Sequence, residues 1–192
     1  MGKNARIIIV TGPKHSGKTS AGRALSLIAE GDFIDLDELV EERTGETPRM
    51  LYRKGAAVLW KAEAEALAQI FCSRGKTGKR LLVVAAGGGL IDNSAALALI
   101  SERHEIITVY LDIKTGTAWN RIKAAADIPG GELPSFLDTA NPEAAHRELH
   151  ERRAEAYRNF SRITINGENK SPEEIAAEIT MCLGGEKERH DQ

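Results

Sequence analysis

The sequence predicts a three-layer α/β domain, a mostly parallel sheet with helices on both faces. Short β-branched runs, led by Ile7-Ile8-Ile9-Val10, alternate along the chain with stretches of helical apolar spacing. Repeated βα alternation favours parallel strands joined by crossover helices. A run that is apolar throughout, rather than at every second residue, fits a strand covered on both faces. With 192 residues, 42% of them hydrophobic and 28% charged, one domain with a substantial core is expected.

The elements follow in order. Residues 7–10 form the first strand, and 16–30 a helix with Ala21, Leu25 and Ile28 on one face. Residues 32–35 are a second short strand. Residues 36–44 and the Ala-, Leu- and Glu-rich stretch 55–73 read as helices. Residues 81–86 are a third buried strand, stopped by Gly87-Gly88-Gly89. A helix near 94–103 leads to a fourth strand, 106–111, and 115–126 is helical again. Residues 127–141 break the pattern with Pro129, Gly130, Gly131 and Pro134. Residues 142–160 return to a charged helix, 162–165 form a fifth strand and 172–181 a last helix. The domain is placed at 1–185, and the charged tail 186–192 is expected to fray. Ligands are expected beyond the carboxyl ends of the strands.

Composition excludes several classes. Lys and Arg total 26 against 28 Asp and Glu, a balance that argues against a nucleic-acid coat or a polybasic membrane binder. Aromatics at 5% are too few for a base-stacking surface. Cys72 and Cys182 stand outside any CxxC or Cys/His pattern and read as reduced thiols of a reducing compartment. The apolar run Ile7-Ile8-Ile9-Val10 near the amino terminus is too short for a signal h-region and lacks a cleavage site, Arg6 argues against a myristoylation start, and no apolar run approaches the ~20 residues of a membrane helix. A monomeric cytoplasmic chain is expected, its partner a small-molecule substrate rather than nucleic acid or membrane.

Gly12-Pro13-Lys14-His15-Ser16-Gly17-Lys18-Thr19 matches G-x-x-x-x-G-K-[ST]. Chance would produce that pattern in such a chain less than about once in a hundred, and here a buried strand precedes it and a helix follows. Such a loop turns successive N–H groups inward as an anion nest, to which the helix adds its positive end. Lys18 is expected to reach the β- and γ-phosphates of ATP and the Thr19 hydroxyl to ligate Mg²⁺. Gly12, Lys14, Ser16, Gly17 and Ser20 complete the nucleotide set. His15 sits in the loop as well, where a solvated residue is the plainer reading than a phosphate contact.

Phosphoryl transfer also needs support for the metal and a group that orients the acceptor hydroxyl. Asp35 and Asp37 stand where the second strand ends, and strand alternation would point both side chains the same way. Their bland alternative is a helix N-cap followed by a favourable first-turn charge. Gly87-Gly88-Gly89 exceeds what a tight turn requires and suggests that backbone closely approaches a ligand.

The phosphate loop, Phe33-Ile34-Asp35-Leu36-Asp37, the triple glycine, Val109-Tyr110-Leu111, and Arg153 with Tyr157 resemble, in that order and spacing, the shikimate kinase family. The resemblance runs from Ile7 to about Ile179. It implies a phosphate-loop kinase fold with a five-stranded parallel sheet in the order 2-3-1-4-5, a substrate-binding helical region over about 36–75 and a lid over about 127–142. It also implies ATP and Mg²⁺, with Lys18 and Asp37 catalytic, Thr19 and Asp35 at the metal, and Asp37, Gly87, Gly88, Gly89 and Arg153 at the acceptor. Arg121 corresponds to an arginine near the adenine.

Two departures stand out. Trp60 occupies the position of an arginine that clamps the substrate carboxylate, with Lys61 beside it but about 100° around the helix. Trp60 reads equally as a core residue or an acceptor contact. In the lid, Leu133 stands where the family carries an arginine, and Arg147, Arg152 and Arg158 are the substitutes considered. Losing a bidentate guanidinium is not a conservative change. Shikimate is thus the first acceptor expected, another sugar acid or polyol the second, and a non-catalytic nucleotide-binding module the reading from a different class. Elsewhere, Trp119 reads as packing, and His146 with His150 as part of a solvated charged face.

Overall fold

The computed structural model describes residues 7–77 and 80–189. Strands β1 (Ile7–Thr11), β2 (Asp32–Asp35), β3 (Leu82–Ala85), β4 (Ile106–Asp112) and β5 (Ile163–Asn166) form one parallel sheet in the order β2-β3-β1-β4-β5. Helix α1 (Lys18–Ile28) joins β1 to β2. Three helices, α2 (Leu36–Thr44), α3 (Pro48–Lys54) and α4 (Ala56–Thr77), precede β3. Helix α5 (Ser94–Ser101) leads to β4, α6 (Thr115–Ala126) and α7 (Pro142–Phe160) to β5, and α8 (Pro172–Arg189) follows.

All five residues of the central strand β1 are buried, and their side chains alternate between two cores as the period of a strand dictates. Ile7 and Ile9 pack with Leu36, Leu67, Leu82 and Val84 on one face. Ile8 and Val10 pack with Leu25, Val109, Ile165 and Ile179 on the other. Each such side chain contributes about 1.5–3 kcal/mol on burial. The continuous apolar run is therefore the signature of a strand covered twice. Because β3 lies beside β1, the turns leaving these two strands face each other at one end of the sheet.

Several local readings are corrected. Helix α3 was not expected, since seven residues are too few to display an apolar period. Its punctuation is nonetheless present: Thr47 caps it by accepting the Met50 amide at 3.2 Å, Pro48 opens it, and Gly55 at φ 135° closes it. Helix α1 starts at Lys18, because Gly17 ends the loop at φ 97°. Helix α8 continues past Met181 to Arg189, through most of the expected tail; His190–Gln192 and Met1–Arg6 lie outside the described residues. His146 and His150 are not solvated. The inward face of α7 runs through His146, His150, Ala154 and Tyr157, and the His146 ring packs on Trp119, itself buried, with centroids 5.5 Å apart.

Candidate active site

The loop between β1 and α1 owes its shape to three residues with positive φ, Gly12 at 144°, His15 at 60° and Gly17 at 97°. A Cβ on Gly12 would lie 2.7 Å from the Leu111 carbonyl oxygen, so glycine is required there for space as well as conformation. Helix α1 starts without a capping side chain and without an acidic residue in its first turn, which leaves its first amides for an anion. Lys18 donates from Nζ to the Pro13 carbonyl at 2.7 Å and is almost fully buried. Burial pulls its pKa down to about 8, against the opposing pull of Asp37 and Asp35. Burial, then the charges of Lys14, Lys18 and Arg121, lower the His15 pKa.

Lys14, His15, Gly17, Lys18, Thr19 and Ser20 line a cavity of about 530 Å³. Gly12 and Ser16 are buried beneath the loop. Arg121, from α6, donates to the backbone carbonyls of His15 and Ser16 at 3.2 and 3.4 Å and braces the loop from its edge.

Asp35 is a helix cap and also touches the phosphate loop. Its Oδ1 accepts the Asp37 amide at 3.0 Å as the N-cap of α2, and its Oδ2 accepts the Thr19 hydroxyl at 2.8 Å. Strand alternation is not what gathers the two acids, because β2 ends at Asp35. Asp37 reaches the cavity from the first turn of α2. Burial raises its pKa and the Lys18 charge opposes that rise.

The glycine turn packs against these groups. A Cβ on Gly87 would lie 2.7 Å from Asp37 Oδ1 and 3.2 Å from Glu63 Oε1, and one on Gly88 would lie 3.0 Å from the Lys14 amide nitrogen. The Tyr157 hydroxyl sits 2.7 Å from the Gly88 carbonyl and 3.1 Å from that of Gly12, tying the turn to the phosphate loop. Arg153 donates Nη1 to the Gly88 carbonyl at 3.0 Å, and its Nε and Nη2 to Asp92 Oδ2 at 3.0 and 2.6 Å.

Glu63 was missed in the sequence. It is 2% exposed, accepts from Asn93 Nδ2 at 2.9 Å, and burial raises its pKa to about 7 although the Asn93 bond works the other way. The available signal was its register: Glu63 falls on the same face of α4 as Leu59, Leu67 and Ile70, where a carboxylate is costly to bury without a purpose. Trp60 lines the cavity one turn away. Lys61, expected at the acceptor, does not line it. The turn of α4 carries it to the outside, 78% exposed and 3.9 Å from Glu65. None of the three considered lid substitutes lines the cavity. Arg152 pairs with Asp92 at 2.9 Å and Arg158 with Asp112 at 3.1 Å. The arginine that does line it from the helical region is Arg49, on α3.

The Thr19 hydroxyl and the Asp35 and Asp37 carboxylates form an all-oxygen donor set beside the anion nest. No group of three or more His, Cys, Asp or Glu arranged for a metal occurs among the described residues. Few protein oxygens beside a phosphate site suit Mg²⁺, which takes most of its ligands from water and phosphate. Among the described residues no helix is long and apolar enough to cross a membrane.

The profile of the shikimate kinase family matches residues 14–184. The chain is 30% identical over 177 residues to a shikimate kinase of Marinomonas sp. strain MWYL1, covering 92% of this chain and 91% of that protein. It is 33% identical over 171 residues to that of Aquifex aeolicus, covering 88% and 91%. The solved shikimate kinase of Acinetobacter baumannii in complex with shikimate superposes with a TM-score of 0.80 at 26% identity, covering 96% of each chain. With residues 14–19 of the phosphate loop, the Asp35–Asp37 pair and the glycine turn inside the matched span, the chain belongs to the shikimate kinase family.

Proposed function

We propose that the protein transfers the γ-phosphoryl group of ATP to a hydroxyl of shikimate. One observation carries the proposal: a single cavity joins the Lys18 end of the phosphate loop to Asp37 and Arg153. The phosphate loop and the amides of α1 receive the phosphates. The acceptor lies beside the glycine turn, where Asp37 accepts its hydroxyl proton as the oxygen bonds to the γ-phosphorus and the bond to the departing ADP oxygen breaks. The Lys18 ammonium meets charge developing on the transferred group. Mg²⁺, held by Thr19 and Asp35, would supply further neutralisation of phosphate charge. Residues 127–142 act as the lid that excludes water. The reading needs one chain and suits the cytoplasm.

Shikimate-dependent ADP release from Mg-ATP, with formation of the phosphate ester, tests the proposal. ADP release driven by another alcohol but not by shikimate would reject shikimate and keep the kinase. Trp60 and Leu133, in place of two arginines, favour a neutral polyol or another sugar acid as that second acceptor. ATP binding without turnover on any alcohol would leave a nucleotide-binding module, a reading that the combination of Lys18, Thr19, Asp35 and Asp37 argues against.

A further inference from the structure

We propose that Arg49 receives the carboxylate of the acceptor, and that Glu132 of the lid segment engages the same guanidinium as an internal stand-in. The inference rests on the reading above that the acceptor carries a carboxylate. Arg49 lines the cavity together with Lys18, Asp37, Trp60 and Arg153. At the acceptor end Asp37, Glu63 and Asp92 are acidic, and Arg153 is already engaged: its three nitrogens donate to Asp92 and to the Gly88 carbonyl. An incoming carboxylate therefore meets an arginine whose charge is balanced by Asp92.

Arg49 differs. Its Nη2 donates to the Leu133 carbonyl at 2.8 Å and pairs with Glu132 Oε2 at 2.6 Å. Its Nε is buried without a partner, and among the described residues no bond engages Nη1. Both carboxylate-matching edges of a guanidinium include Nη2, where Glu132 sits on one oxygen, so a carboxylate that takes the place of Glu132 has a second N–H beside it to complete a fork. A carboxylate from the chain itself already sits on it, which establishes the chemistry the position accepts. The Arg49–Glu132 pair is substantially exposed, at 36% and 61%, so it is weak and exchangeable. Displacing Glu132 leaves the Leu133 carbonyl on the same side chain, so acceptor binding and lid position report to one residue.

The test compares shikimate with its methyl ester, which lacks the charge, on wild type, Arg49→Gln, Arg49→Lys and Glu132→Gln. ADP release gives kcat/KM, and calorimetry gives acceptor binding without turnover. Arg49→Gln is expected to reduce the preference for shikimate over the ester about tenfold or more, Arg49→Lys to restore part of it, and Glu132→Gln to raise it. Unchanged Mg-ATP affinity and melting temperature exclude misfolding. A preference in Arg49→Gln within about twofold of wild type overturns the assignment, as does an equal loss on both acceptors, which would mark a lid contact only. Should wild type release no ADP with shikimate, the proposed acceptor fails by itself. Calorimetry then decides separately: weaker shikimate binding by Arg49→Gln supports the assignment, and equal or absent binding overturns it.

Discussion

The Thr19 hydroxyl donates to Asp35 Oδ2 at 2.8 Å while the other oxygen of that carboxylate caps α2. One side chain thus fixes the start of α2 and a candidate metal ligand on α1. The two roles separate by substitution. Asparagine caps as well as aspartate, so Asp35→Asn is expected to keep the stability of the wild type, while Asp35→Ala loses about 1 kcal/mol in denaturant unfolding. Both are expected to raise the Mg²⁺ concentration for half-maximal rate about tenfold, because both remove the charge. An unchanged Mg²⁺ requirement in Asp35→Asn would reduce Asp35 to a cap.

Lys18 sets a pH dependence of nucleotide binding. Its pKa of about 8 without nucleotide means that the cation is present below pH 8 and is lost above it. Phosphate binds the cation, so above pH 8 binding must be accompanied by proton uptake. ATP affinity is expected to fall by up to about tenfold per pH unit above 8, read by titration at fixed ionic strength. Lys18→Met is expected to abolish that dependence and to lower kcat by about 10² or more.

What could be read in advance followed local chemistry. The phosphate loop lies in contiguous residues between a doubly buried strand and a helix, so its shape follows from Gly12, Gly17 and their neighbours. The sheet order came through the family resemblance rather than through periodicity. Glu63, Asn93 and Asp92 were invisible because their roles arise from partners 30 and 61 residues away. Arg49 sits on a helix too short to announce itself and meets the Leu133 carbonyl 84 residues on. His146 and His150 misled for the opposite reason: charged neighbours on α7 suggested solvent, while the i,i+4 spacing placed both rings on its inner face.

Glu63 makes stability depend on pH. Its folded pKa of about 7 lies above the ordinary 4.5, so the folded state retains a proton through that interval and the unfolded state does not. Stability is therefore lost as pH rises from 4.5 through 7. Glu63→Gln removes the titration and keeps an acceptor for Asn93. The variant is expected to match wild type near pH 4.5 and to exceed it above pH 7 by on the order of 3 kcal/mol at most. Chemical denaturation across that range reads the difference, and parallel curves would place Glu63 in contact with solvent.

Gly87 and Gly89 differ in what a methyl group would meet. At Gly87 the added carbon falls 2.7 Å from Asp37 Oδ1 and 3.2 Å from Glu63 Oε1, so the half-buried Asp37 carboxylate must shift away from the buried Glu63 side. At Gly89 the nearest atom is Arg153 Nη2 at 3.8 Å, an ordinary contact, and φ is −102°. Gly87→Ala is thus expected to displace Asp37 by a fraction of an ångström or more. The cost is about 1–3 kcal/mol in stability and up to about 10² in kcat. Gly89→Ala is expected to cost much less of either. Single-turnover rates at saturating ATP, beside denaturant curves for both variants, separate the position of Asp37 from general loosening. Equal kcat losses in the two variants would mean that the turn as a whole, and not the Gly87–Asp37 contact, governs the rate.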